Sequence, residues 1–91
     1  MERKLMNGKV YKEIDFEEVL SNHSGQSDIF YHVFYGTVDW NKDGNEQKAI
    51  CIFMKYNGKV NVLSPANVLI SDLFKVEEAI AKVKQRNLIL N

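Results

Sequence analysis

Apolar and aromatic side chains concentrate in one central run of the chain, broken twice by short polar segments. Residues 29–40 read Ile-Phe-Tyr-His-Val-Phe-Tyr-Gly-Thr-Val-Asp-Trp, residues 48–56 read Lys-Ala-Ile-Cys-Ile-Phe-Met-Lys-Tyr, and residues 59–63 read Lys-Val-Asn-Val-Leu. Aromatic and β-branched residues at this density suit a pleated, half-buried surface, so the pattern predicts three strands. Asn57-Gly58 separates the second from the third and is the preferred pair for a two-residue type I′ turn, in which both positions need positive φ. The polar run 41–47 separates the first from the second.

The turns set a register. Asn57-Gly58 at the tip places Tyr56 opposite Lys59, Lys55 opposite Val60, Met54 opposite Asn61, Phe53 opposite Val62 and Ile52 opposite Leu63. If Asp43-Gly44 is likewise a two-residue tip, Phe34 faces Phe53, Tyr35 faces Ile52, Gly36 faces Cys51 and Val38 faces Ala49. Asp39 then faces Lys48 as an ion pair, and His32 faces Lys55. One face of this sheet carries Phe30, His32, Phe34, Gly36, Val38, Trp40, Ala49, Cys51, Phe53, Val60 and Val62. The other carries Ile29, Tyr31, Val33, Tyr35, Thr37, Ile50, Ile52, Met54, Tyr56 and Leu63. Neither alternates as a wet face should, so both need cover. The small residues Gly36, Ala49 and Cys51 would let a helix approach the first face. The tyrosine hydroxyls and the methionine of the second suit contact with another protein.

Two helices flank the strands in this reading. Asp15 followed by Glu18 makes a capping box, predicting a short helix over 16–22 with Phe16, Val19 and Leu20 on one side and a loop over 23–27. Before it, residues 1–14 read as an extended lead-in with a turn pair at Asn7-Gly8 and a possible short edge strand around Val10. After the sheet, Pro65 breaks the strand, and Val68-Leu69-Ile70 suits either a short strand or a helical lead-in. Ser71-Asp72 caps a helix from Leu73 to about Arg86, with Leu73, Val76, Ile80 and Val83 as its stripe and Lys82, Lys84 and Arg86 at its negative end. The apolar tail 88–91 is expected to dock in a groove or on a sheet edge.

The expected architecture is one α+β domain over residues 1–91, ordered α-β-β-β-α around a three-stranded antiparallel meander. Double-stranded-RNA-binding domains share that order, but their basic run at the start of the last helix is absent here, where the helix opens Ser71-Asp72-Leu73-Phe74-Lys75. The likeness is one of element order.

Composition narrows the function classes. The chain has 91 residues, 45% hydrophobic and 26% charged, which is ordinary for a globular domain that folds without staples. Twelve basic residues balance twelve acidic ones, so the overall field expected of a dedicated nucleic-acid binder is missing. One cysteine and no long apolar run point to a cytoplasmic protein that neither spans a membrane nor depends on an internal disulfide.

Candidate chemistry is sparse. Asp39-Trp40-Asn41-Lys42-Asp43-Gly44 matches the opening of a calcium loop, with oxygen ligands at Asp39, Asn41 and Asp43. The twelfth position is Ile50 where a bidentate glutamate is required, and Asp, Asn and Gly gather at hairpin tips for conformational reasons alone. Cys51, mid-strand between isoleucines, reads as a core thiol. His23 and His32 lack zinc-ligand spacing, and there is no phosphate loop, nucleophile elbow or cofactor signature. The expectation is a non-enzymatic interaction or regulatory domain, a homodimer or a binder of another protein, that uses Tyr31, Tyr35, Met54 and Tyr56 for the contact. The alternative is single-stranded nucleic-acid or RNA binding, with the tyrosines stacking on bases and Lys48, Lys55, Lys59 and Lys9 on phosphates.

Overall fold

A computed structural model describes residues 2–4, 9–23, 28–62 and 65–89. Five strands form one antiparallel meander in chain order: β1 (Glu2–Lys4), β2 (Val10–Leu20), β3 (Ile29–Asp39), β4 (Glu46–Tyr56) and β5 (Lys59–Asn61). A 3-10 turn, Ile70–Asp72, leads into α1 (Leu73–Arg86), the one α-helix among the described residues. The α+β class stands, with one long helix in place of two and with longer strands.

Most of the difference lies in β2. The expected helix over 16–22 is strand as far as Leu20, and the supposed lead-in before it contributes β1 and the first half of β2. A bulge hides the strand from its sequence. Glu13 pairs with Gly36 and Asp15 with Tyr35, leaving Ile14 as an extra residue. Beyond that point the alternation changes parity, so Tyr11 and Glu13 share a face with Phe16, Glu18 and Leu20. Two half-strands out of phase imitate a helical stripe.

The Asn57-Gly58 turn forms as the sequence predicts, with both φ positive and Tyr56, Lys55 and Met54 opposite Lys59, Val60 and Asn61. The pairings expected beyond it are not part of the ladder: β5 ends at Asn61, and Leu63 lies outside the described residues, as do the Asn7-Gly8 turn, residues 24–27 and the tail residues Leu90 and Asn91. The β3–β4 connection is longer than a two-residue tip, since Asp39 pairs with Glu46. That moves the register by two: Phe34 faces Cys51, Tyr35 faces Ile50, Gly36 faces Ala49 and Val38 faces Gln47. Lys48 lies opposite Thr37, so the Asp39–Lys48 ion pair does not form, and His32 faces Phe53 instead of Lys55. A slip of two keeps every side chain on its side, and both predicted faces survive.

Their cover is reversed. The helix packs on the tyrosine face, where Ile29, Tyr31, Val33, Tyr35 and Met54 meet Val76, Ala79 and Val83 in one buried cluster. The helix supplies the small residues and the sheet the large ones, and Leu73, placed in the predicted stripe, gives way to Ala79. On the other face Tyr11, Phe34 and Phe53 meet edge to face, with ring centroids 5.3–5.8 Å apart, beside Val38, Cys51 and Val60. The small residue at the middle of that face serves the bulge: a Cβ on Gly36 would collide with the Lys12 carbonyl.

Candidate functional site

None of the residues singled out for contact with a partner forms a surface as a group. Tyr31, Tyr35 and Met54 are buried beneath α1, and Tyr56 alone of the four is exposed, so the expected interaction face is internal core. Of the stacking platforms for a nucleic acid, Tyr31 and Tyr35 are buried with it. Lys48 and Lys59 project on the helix side of the sheet and Lys55 on the other, where its ammonium bonds both carboxylate oxygens of Glu18 at 3.1 and 2.9 Å. Lys9 lies 4.7 Å over the Trp40 ring. In the calcium-like loop, Asp39 accepts the N–H groups of Asp43 (3.1 Å) and Gly44 (2.8 Å), and Asp43 accepts that of Asn45 (3.0 Å). Burial raises the Asp39 pKa, and these backbone donors more than offset it, holding the carboxylate below its usual range. Among the described residues no group of three His, Cys, Asp or Glu side chains could hold a metal ion. Burial pushes the Cys51 thiol up, as in an inert core position.

What sequence reasoning missed are the two straps that tie α1 along β2. At one end Asp72, expected to cap its own helix, bonds instead to the neighbouring chain segments. Its carboxylate accepts the main-chain N–H of Asn22 (3.0 Å), the Asn22 side-chain amide (2.5 Å) and the Tyr31 hydroxyl (2.7 Å). These donors, first the Asn22 N–H, keep the Asp72 pKa low. The Tyr31 oxygen in turn accepts the N–H of Leu69 at 3.0 Å.

At the other end Arg86 bonds Asp15 at 3.0 and 3.1 Å, Glu17 at 2.5 Å and the Phe16 carbonyl at 2.9 Å, while the Asn87 amide bonds Asp15 at 2.9 Å. The Arg86 bond draws the Asp15 pKa down to about 2. The straps suit the lengths involved: seven strand residues span about 23 Å, and a helix of 14 residues spans about 21 Å.

Between the straps lies an open sheet edge. Among the described residues β1 pairs with β2 over Val10–Lys12, and beyond the bulge no described strand lies on the outer side of β2. The Ser21 N–H bonds the Ile29 carbonyl at 2.9 Å, which fixes the alternation: Glu17, Val19 and Ser21 turn their backbone toward β3, and Phe16, Glu18, Leu20 and Asn22 turn theirs outward. Phe16 is spoken for, its carbonyl by Arg86 and its N–H by the Asp15 carboxylate at 2.8 Å, and the Asn22 N–H goes to Asp72. Glu18 and Leu20 remain, each presenting a donor and an acceptor.

A groove of about 260 Å³ runs beside them, walled by Val19 and Leu20 of the strand and by Lys75, Glu78, Ala79 and Lys82 of the helix. The Glu18 side chain points away from it into a polar network. Glu18 meets His32 Nδ1 at 2.9 Å as well as Lys55, and His32 Nε2 meets Glu13 at 2.5 Å beneath the stacked Phe16 ring. Burial pulls the Glu18 pKa upward, but the bonds from Lys55 and His32 prevail and hold it ionised. His23 lies against Tyr31, on the opposite side of the sheet from His32, so the two histidines share no site. Comparison with protein-family models, with curated proteins and with solved structures yields no match for this chain.

Proposed function

We propose that this is a non-enzymatic protein-interaction domain that takes up an extended strand of a partner along the free edge of β2. The observation that carries the reading is the pair Glu18 and Leu20, whose outward N–H and C=O groups stand in a strand tied to α1 at both ends. Strand addition to such an edge draws affinity from main-chain hydrogen bonds and selectivity from the pockets beside them. The groove supplies the second element, with an apolar floor at Val19 and Ala79 and charged walls at Lys75, Glu78 and Lys82. A cytoplasmic setting belongs to the same proposal and is supported by the single, partly buried cysteine. No described helix is long and apolar enough to cross a membrane.

Leu20→Pro tests the reading directly. The Leu20 N–H faces outward, so proline removes an edge donor without breaking the β2–β3 ladder. Selection of displayed random peptides on the wild-type protein should enrich sequences that Leu20→Pro no longer retains. Equal enrichment on both proteins, with the variant folded by circular dichroism, refutes strand addition at this edge.

A further inference from the structure

We infer that the occupant of this edge is the same edge of a second copy of the chain, paired antiparallel about a two-fold axis through Val19. The inference rests on the strand-addition reading and names its partner. In that register Glu18 lies opposite the partner's Leu20, and Leu20 opposite the partner's Glu18. Residues directly opposite with backbone groups facing each other exchange two hydrogen bonds. The four outward groups of one copy therefore meet the four of the other, with none left over.

The next outward residues are Phe16 and Asn22, which fall opposite each other. Phe16 already uses both its backbone groups, on Arg86 and Asp15, and Asn22 its N–H, on Asp72. The pairing thus ends where the chain's own caps begin.

Charge selects the same register. Moving the axis to Glu18 sets Glu18 against Glu18 and asks the capped Phe16 to pair; moving it to Leu20 asks the capped Asn22 to pair. Like charges directly opposite are unfavourable. With the axis at Val19, no like charges lie directly opposite on the seam: Glu17 faces Ser21, Glu18 faces Leu20 and Val19 faces Val19, and Glu18 meets the other copy's Glu18 only on the diagonal. Leu20 is 54% exposed and Phe16 46%, both on the sheet side away from α1. Across this axis each Leu20 becomes the diagonal neighbour of the other copy's Phe16 and Leu20, within reach of long and aromatic side chains. On the helix side the two α1 helices run antiparallel beside the seam.

The test is molar mass by light scattering over a concentration series for wild type and Leu20→Pro, with a cross-link as a second measurement. Wild type should form a dimer, and proline, which deletes two of the four bonds, should weaken it at least about 30-fold. Val19 meets itself at a non-hydrogen-bonded site, where Cα atoms lie about 4.5 Å apart, a separation a disulfide can span. In a Cys51→Ala background, Val19→Cys should therefore give a covalent dimer with oxidised glutathione, and Phe74→Cys should not. A wild-type monomer up to about millimolar concentration, a dimer indifferent to Leu20→Pro, or equal cross-linking at both positions overturns the inference. Should Leu20→Pro fail to fold, the cross-link decides alone. A monomer that still selects peptides lost in Leu20→Pro would refute self-pairing and leave strand addition standing.

Discussion

Tyr31 sits where the helix, the sheet and the end of β2 meet, and removing its hydroxyl is the most direct test of that arrangement. Tyr31→Phe keeps the ring, which is fully buried, and deletes two hydrogen bonds. One is donated to the ionised Asp72 at 2.7 Å and the other is accepted from the Leu69 N–H at 3.0 Å. A bond to a charged group contributes about 1.5–3 kcal/mol, and a stranded buried N–H costs about 1–3 kcal/mol unless water reaches it. Asp72 keeps both Asn22 bonds, so the lower ends of these ranges apply, and the expected loss is about 2.5 kcal/mol. A domain of 91 residues has about 5–14 kcal/mol in all. The urea midpoint followed by far-ultraviolet circular dichroism should therefore fall by about 2 M. Tyr56→Phe, at an exposed position, is the control and should leave the midpoint in place. A loss under about 0.5 kcal/mol for Tyr31→Phe would refute the strap.

Three further perturbations probe the local geometry. Leu88 closes the helix in the left-handed region at φ 55°, with Leu88 and Ile89 N–H groups bonded back to Gln85 and Lys84, yet its side chain is 84% exposed. Leu88→Gly should raise stability by about 0.5–1 kcal/mol, read as a higher urea midpoint, because relief of the left-handed strain outweighs the freedom glycine adds to the unfolded chain. Gly36→Ala would drive a methyl group into the Lys12 carbonyl and within 2.8 Å of the Phe34 ring, so a loss of at least about 3 kcal/mol or a failure to fold is expected. For Asp15 the folded pKa of about 2 lies below the unfolded value of 3.8. Its contribution is complete above the unfolded value and disappears as the pH falls through the folded one. Asp15→Asn should thus be less stable than wild type at neutral pH and flatten the decline between about pH 4 and pH 2, measured by urea midpoints across that window.

Features coded by adjacent residues were legible in the sequence. Asn57-Gly58 specified its turn and register because only a few residue pairs tolerate two positive φ values in succession. The bounds of α1 followed from the change of period at Leu73 and the polar stop at Asn87. The two faces of β3 and β4 were also readable, since an error of two residues in loop length leaves parity intact. What could not be read depended on distant partners. Asp15 and Glu18 look like a capping box, but Asp15 is claimed by Arg86 and Glu18 by His32 and Lys55, all remote in sequence. Asp72 sits at an N-cap position and spends its carboxylate on Asn22 and Tyr31. Which face the helix would choose turned on its own Val76, Ala79 and Val83 being small enough to lie over Tyr31 and Tyr35, a fit between elements that no single stretch displays. The open edge was hidden with β2 itself. Its one local trace is the spacing Phe16, Glu18, Leu20, visible once Ile14 is counted as a bulge.

The dimensions of that edge bear on its use. Exposed strand edges tend to template unlimited pairing, and folds commonly guard them with lysines, prolines, bulges or cover. Here the described pairing with β1 covers Val10–Lys12, and side chains close the outward groups at Phe16 and the outward N–H at Asn22. The charge that could have guarded the middle, Glu18, is turned onto the sheet face, where it pairs with the Lys55 ammonium and bonds His32. Two residues remain open, too few to seed an extended β-stack and enough for one four-bond pairing. Guarding the ends while disarming the centre is the arrangement expected of an edge kept for a single, finite partner strand, since a chain under pressure only to avoid aggregation would gain most by placing a free charge or a proline at position 18 or 20.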